Sequence, residues 1–446
     1  MGEQKETTQQ FVTRVLAKTE TFNKQELADY QRSQLTQLLR LAHAETAFYR
    51  KRLAPFFRKG ETIDWQKWKD IPVLKRADIK EHGETMIVKN LPKGHGPSNE
   101  TASSGTTGTP ITVHGTYLML TAGTAAFARA CRWYGQSADD RLCLVMNSTQ
   151  VQSLDRKIWA VGVEGSNTLE GNKLSNRLAV SWTWSAQHIL SLMEQHRSTC
   201  FSGYATTLEN VAEAQSIHQA KIDMKFMVGI SMAVTNRARK LVTEAFNART
   251  FSAYTSKEVH KIAHECPVSG GFHVNSELVL IEILDDEGRP CEPGQTGRVI
   301  ATPLFGTAQP LIRYELGDLA TWGESCPCGR AHPVIARIDG RIRNQFHFAG
   351  GHKFTPGIGH EAFRDLLKAD RWQVAQTGPV DVEVRFISSA SDDFTDIAAM
   401  TTLLQKSYNQ KLNVTYRRVE TMPLTPVGKF MDYVNEYEVH NDGPSA

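Results

Sequence analysis

At 446 residues the chain exceeds what one hydrophobic core ordinarily supports, so two or more domains are expected, one of them large. Its formal net charge of +3, with Lys and Arg scattered along the chain, argues against nucleic acid or an anionic membrane as partner. No stretch of about 18 apolar residues and no apolar secretory segment is present, so no membrane span is predicted and a cytoplasmic location is expected.

Leu27, Tyr30, Leu35, Leu38, Leu39 and Leu41 recur at roughly helical spacing, which predicts a helical lead-in over about residues 24–53 with Phe48 and Tyr49 as core. Residues 70–79, Asp-Ile-Pro-Val-Leu-Lys-Arg-Ala-Asp-Ile, carry no readable function. Residues 103–110 follow, Ser-Ser-Gly-Thr-Thr-Gly-Thr-Pro. Gly105 and Gly108 let the backbone approach an anion, while Ser103, Ser104, Thr106 and Thr107 offer hydroxyls and amides to phosphate oxygens. The same composition also suits a plain surface turn. It is not a Walker loop, because Thr109 and Pro110 stand where Lys and Ser or Thr are needed. Neither Gly94-His95-Gly96 nor Gly357-Ile358-Gly359 completes a dinucleotide fingerprint.

A buried helix is predicted over 117–134 and a strand over 141–146, and strand and helix then alternate to about Glu258, the pattern of an α/β core with parallel strands. Short β-rich runs at 277–284 and 297–303, joined by Asp286-Glu287-Gly288 and Glu292-Pro293-Gly294, predict a β-rich subdomain. Beyond Arg341 the composition shifts, and a strand (380–387), a helix (394–409) and a strand (413–419) predict a small α+β domain. The expected architecture is therefore α/β: a large multi-subdomain N-terminal domain, residues 1–340, and a small C-terminal domain, residues 341–446. A hinge is placed near 341–344.

Four further motifs follow the loop in order: Tyr254-Thr255-Ser256-Lys257-Glu258, Arg313-Tyr314-Glu315-Leu316-Gly317-Asp318, Gly340-Arg341, and Pro423-Leu424-Thr425-Pro426-Val427-Gly428-Lys429. Taken singly each has a bland reading as helix neighbours, a turn or a solvated charge. Together with the loop and with Phe48-Tyr49-Arg50, they resemble the adenylate-forming enzymes, in particular the phenylacetate-coenzyme A ligase branch. The resemblance runs over nearly the whole chain.

That resemblance implies ATP-dependent activation of a carboxylic acid, aryl or arylalkyl, to an acyl-adenylate with release of pyrophosphate, then transfer to the thiol of coenzyme A. It implies that the 103–110 loop grips phosphate, that Glu258 ligates Mg2+, and that Tyr254 and Ser231 lie at the adenine or acyl group. Asp318 would accept hydrogen bonds from the ribose hydroxyls, as an acceptor-only group should. Arg341 would reach ribose or phosphate. Lys429 would enter to neutralise charge growing between carboxylate and α-phosphate, then withdraw with the small domain for the second step. Trp182, Trp184, Phe201, Tyr204 and Gly229 are candidates for the acyl pocket, and a homodimer is a family-level expectation. Three departures stand out: Lys257 where the family often has Thr or Ser, Arg343 and Asn344 where an acidic residue is common, and no glutamate near Ser231.

Seven cysteines, an odd number, point to thiols or metal rather than a disulfide framework. Cys266, His273, Cys326 and Cys328 offer the ligand types of a structural Zn2+ site, with His332 a substitute and free buried thiols the plain alternative. Other functional readings stay open. The acyl acceptor could be a carrier-protein thiol or an amine. Gly229-Ile230-Ser231-Met232-Ala233 is one residue short of a serine-hydrolase elbow. A non-catalytic nucleotide-binding protein would fit Arg343 and Asn344 but not Lys429.

Overall fold

The computed structural model describes residues 6–58, 62–102, 111–162, 169–171, 175–231, 234–341, 345–348, 353–354, 360–388, 395–422 and 431–437. The 103–110 loop, Arg343, Asn344 and Lys429 lie outside the described residues, and of Arg341 only the backbone is described.

The lead-in expected over about 24–53 is helical, and a further helix precedes it. Thr7 and Asn23 each close a capping box, with Gln10 and Glu26, and so start helices Thr8–Thr19 and Lys24–Glu45. Thr46 leaves the helical region (φ −121°), and its hydroxyl accepts the Tyr49 N–H, so a new short helix, Ala47–Arg52, begins there. Tyr49 is fully buried; its hydroxyl donates to the Pro310 carbonyl (2.7 Å) and accepts from the Ile312 N–H (3.2 Å).

Two compact units make up the chain, one built mainly from residues up to Arg337 and one from Ile338 onward that also takes in Gly317–Ala320. The first contains most of a 13-stranded sheet. Strands Ala160–Gly162, Arg177–Ser181, Leu142–Met146, Cys200–Tyr204, Phe226–Ile230 and Arg249–Ser256 run parallel in that spatial order. Helices Ala186–His196, Ala205–His218 and Asn236–Phe246 lie between successive strands and bury Leu192, Leu208 and Val242 against Phe201 and Met227. Beyond Arg249–Ser256 the sheet turns antiparallel through His260–Glu265 and Phe272–Val274. The turn at Lys257 and Glu258 therefore stands where the parallel half meets the antiparallel half.

A fully buried charge cluster holds this unit together across long sequence separations. Glu277 meets Arg129 (2.6 Å), His332 Nε2 (2.8 Å) and the Thr19 hydroxyl (2.6 Å), and Arg129 also donates to Asn275 (3.1 Å). Burial pushes the Glu277 carboxyl up, but the charges and hydrogen bonds of Arg129 and His332 outweigh it and hold the group well below the carboxylate range. Replacing Glu277 by Ala leaves Arg129 buried without its counter-charge. The expected cost is about 3–5 kcal/mol, read as a lowered urea midpoint; a shift worth under about 1 kcal/mol would show that the pair does not hold the unit.

The second unit carries a four-stranded sheet in the order Asn413–Arg418, Asp381–Ile387, Arg371–Gln376, Tyr433–Asn435. Helix Ile397–Tyr408 and helix His360–Leu367 contribute Met400, Leu404, Phe363 and Leu367 to its core, where Phe363 stacks on Trp372 at 3.7 Å. Strands Arg371–Gln376 and Tyr433–Asn435 are elements that the periodicity of the sequence did not predict.

Candidate functional site

Strands Ser98–Ala102 and Thr112–Thr116 form an antiparallel hairpin, paired from Ser98 with Thr116 to Ala102 with Thr112. The glycine-rich loop, residues 103–110, joins the ends of this stem. Val113 is buried and Gly115 is flanked by Asn99 and His260, while the Gln309 side chain accepts the His114 N–H (3.0 Å) and donates to the Gly83 carbonyl (3.2 Å). The stem is thereby fixed to the body of the first unit.

The stem and the sheet turn meet in one small cavity, lined by Thr101, Val113, Gly115, Lys257, Glu258 and His260, among others. The Val259 N–H donates to the Ser256 hydroxyl (2.9 Å) and shapes the turn. Lys257 Nζ donates to the Ala102 carbonyl (3.0 Å), the last described residue before the loop. The departure noted at Lys257 is thus a tie between the hairpin stem and the Glu258 turn. Glu258 is 12% exposed and faces Arg76 Nη1 at 3.7 Å. His260 adopts φ +66°, rare for a residue with a side chain. Burial and the neighbouring Lys261 charge lower its pKa to about 4, so the ring beside Glu258 is neutral at pH 7, and burial lowers Lys261 itself to about 8.

The remaining candidates fall in several places. Tyr204 ends its strand opposite Ile230, and Ile230 lies opposite Ala253, so Tyr204, Ser231 and Tyr254 stand at the carboxyl ends of three neighbouring parallel strands. Ligands of open α/β sheets bind at such an edge. Tyr204 meets Trp182 edge-on at 6.2 Å, and Tyr254 is buried. Ser231 sits at φ +68°, a strained position like that of a hydrolase elbow, yet among the described residues no histidine hydrogen-bonds it. Gly229 is a packing glycine, since a Cβ there would meet Val234 at 2.2 Å; Phe201 is fully buried core. Trp184 lines a different cavity, of about 640 Å3, with His188, Glu194 and His218, and its buried indole N–H has no partner among the described residues. Asp318 is buried on strand Tyr314–Trp322 directly after Gly317, whose φ of +76° requires a residue free of Cβ crowding. Arg341 ends strand Val334–Arg341.

Cys266, His273, Cys326 and Cys328 do come together, their four ligand atoms all within 4.8 Å of one another. Cys266 and Cys326 sulfurs lie 3.6 Å apart, close to the ~3.8 Å between thiolates that share a tetrahedral Zn2+ at ~2.3 Å. His273 Nε2 is 3.1 Å from the Cys328 sulfur, while its Nδ1 is 3.2 Å from the His332 carbonyl, a hydrogen bond that fixes the ring as metal-bound imidazoles usually are. The backbone N–H of Val268 donates to the Cys266 sulfur (3.4 Å), and that of Cys328 to the Cys326 sulfur (3.5 Å). The His332 side chain turns away from this group to Glu277, so His332 supplies a carbonyl rather than a ligand nitrogen.

Sequence reasoning missed Arg76. It singled out the segment that delivers Arg76 but gave it no function, because nothing in residues 70–79 signals contact with Glu258.

No protein-family model matches the chain. The phenylacetate-coenzyme A ligase of Thermus thermophilus is 25% identical over 338 residues, which span 72% of this chain and 72% of that protein. Among solved structures, 2-hydroxyisobutyryl-CoA ligase in its postadenylation state superposes with a TM-score of 0.71 at 17% identity, over 94% of this chain and 91% of that one. The B. subtilis o-succinylbenzoate coenzyme A synthetase with ATP and magnesium gives 0.51 at 15% identity, over 75% and 68%. Such likeness establishes a shared fold.

Proposed function

We propose that this chain, a member of the adenylate-forming superfamily, is an AMP-forming acid–thiol ligase that joins a carboxylic acid to coenzyme A. A carboxylate is a poor electrophile. Attack of its oxygen on the α-phosphorus forms the acyl–phosphate bond and breaks the bond to the β-phosphate, releasing pyrophosphate. The thiol of coenzyme A then attacks the acyl carbon and AMP leaves. The single observation that carries this reading is the shared cavity of the loop stem and Glu258, with Lys257 tying the two.

Glu258 suits magnesium. Its carboxylate already faces a cation, Arg76, and it is one ligand only, leaving positions for water and phosphate oxygens as magnesium prefers. Glu258 would hold the metal, which when bound would offset the negative charge of the ATP phosphates. The loop from Ser103 to Gly108 would grip those phosphates, with Tyr254 and Ser231 beside the adenine or acyl group. Asp318 would hold the ribose, Arg341 the ribose or phosphate, and Lys429 the reacting oxygens. Tyr204 and Trp182 favour an aryl or arylalkyl acid, since their rings offer flat apolar faces at the strand edge.

Pyrophosphate release with ATP and magnesium, across aryl, arylalkyl and aliphatic acids with and without coenzyme A, tests the reading. Acid-dependent release that ends in a thioester supports it; release without thioester points to a carrier-protein or amine acceptor. Silence across the panel argues against it.

The thiol–imidazole cluster supports a structural Zn2+, because four protein ligands leave no open position for chemistry. Protein purified without chelator is expected to contain one zinc per chain by elemental analysis, and Cys326→Ser to lose it. Metal-free wild-type protein would end the zinc assignment.

A further inference from the structure

The strand that leaves the Glu258 turn, His260–Glu265, carries a cation that has no counter-charge among the described residues. Lys261 is partly buried against the helix Tyr117–Trp133, its stem beside Gly123, where a Cβ would meet Lys261 Cγ at 3.3 Å. Its ammonium lies over the Phe127 ring, 5.2 Å from the centroid. Among the described residues no carboxylate pairs with it and its ammonium makes no hydrogen bond. The acidic group it does interact with is the Cys131 thiol, which burial pushes up to about 12 and so keeps neutral.

A second polar atom beside the same ring is also without a partner. His264, fully buried, lies 6.2 Å from Phe127; its Nδ1 is 3.3 Å from Asn275 Oδ1, and its Nε2 meets no donor or acceptor among the described residues. Leaving an ammonium and an imidazole nitrogen unpaired in the interior costs free energy. Binding sites are where proteins keep such groups, because a ligand completes them.

The neighbours of this pair belong to the acyl end of the site. Phe127 and Ile230 pack against the cluster that contains Ala253, and Ile230 and Ala253 directly precede Ser231 and Tyr254. His260, next to Lys261, and Met119, one helical turn before Gly123, line the cavity that holds Glu258. From Met119 to Phe127 is about 12 Å along the helix. The cation therefore stands well away from Glu258, on the side of the acid rather than of the phosphates.

We propose that Lys261 receives a second carboxylate carried by the acid, so that the substrate is an extended dicarboxylic acid, aryl or arylalkyl, activated at one end only. A carboxylate there would complete the ammonium with a charge-assisted hydrogen bond. An acid with an apolar end would bury the ammonium unanswered, which is how the site would reject it. The inference rests on the ligase reading above and narrows its substrate class.

The test is pyrophosphate release with ATP and magnesium, using acids paired so that they differ only in the second carboxylate: phenylacetate with 4-carboxyphenylacetate, and butyrate with glutarate. Wild type should show kcat/KM about 10²-fold higher for at least one diacid than for its partner, the scale of a hydrogen bond to a charged group. Lys261→Met keeps the stem along Gly123 and removes the charge, so it should lose that preference and favour the monoacid. A purely structural role would depress both acids of a pair alike and leave their ratio unchanged, which would overturn the assignment. If Lys261→Met does not fold, Lys261→Gln carries the same comparison. Wild-type release that ignores the second carboxylate would remove this inference alone; silence toward every acid would remove the ligase reading and this inference with it.

Discussion

Glu258→Gln should lower acid-dependent pyrophosphate release by about 10²–10³-fold, the scale on which removing one charge-stabilising group acts in a preorganised site. The substitution keeps size and shape, so the Lys257–Ala102 tie and the turn capped by Ser256 should persist. What is lost is the full negative charge. An amide oxygen is a weaker ligand for magnesium than a carboxylate, and Arg76 would lose the counter-charge it faces at 3.7 Å. Initial rates at saturating ATP, over a magnesium series, separate these effects. A rate within about threefold of wild type, on the scale of a surface contact, would remove Glu258 from the metal site. Unaltered AMP affinity in the variant would show that the nucleotide pocket is intact.

Lys429→Ala is expected to reduce adenylation by about 10³-fold, since a lysine that meets charge only as the transition state forms contributes to rate rather than to ground-state binding. Lys429 lies outside the described residues, so this expectation rests on the Pro-Leu-Thr-Pro-Val-Gly-Lys motif. Transfer from a supplied acyl-adenylate to coenzyme A should be largely preserved if, as the resemblance implies, the lysine is withdrawn for that step. Equal loss in both half-reactions would contradict a two-conformation cycle. Comparing the two half-reactions also guards against a folding defect, which would depress both.

Local signals served the sequence reading well where function depends on short spacings. Strand–helix alternation up to Glu258 predicts the parallel half of the sheet, because crossovers demand it. The Cys-Pro-Cys pair and the earlier Cys266 and His273 are close enough in pattern to be grouped, and their ligand atoms are indeed adjacent. Non-local chemistry was not legible. Arg129 and Glu277 are 148 residues apart, and neither carries a mark of its fully buried pairing. Arg76 and Glu258 are equally remote in sequence, joined only because Arg313 and Arg52 hold the carbonyls of an otherwise featureless segment. The Thr8–Thr19 helix was not predicted either, although its start is set by the Thr7 and Gln10 capping box and it buries Val12 and Leu16. Lys257 looked like an unexplained departure until its partner, a backbone carbonyl invisible to pattern reading, was seen.

The central claim is an acyl-adenylate, and isotope transfer tests it most directly. An acid that triggers pyrophosphate release is supplied with 18O in its carboxylate, and the AMP formed on complete reaction with coenzyme A is weighed by mass spectrometry. Attack of the carboxylate on the α-phosphorus predicts one 18O in each AMP. AMP or ADP without label, or label appearing in inorganic phosphate, would mean that the acid is activated by another route and would contradict the account.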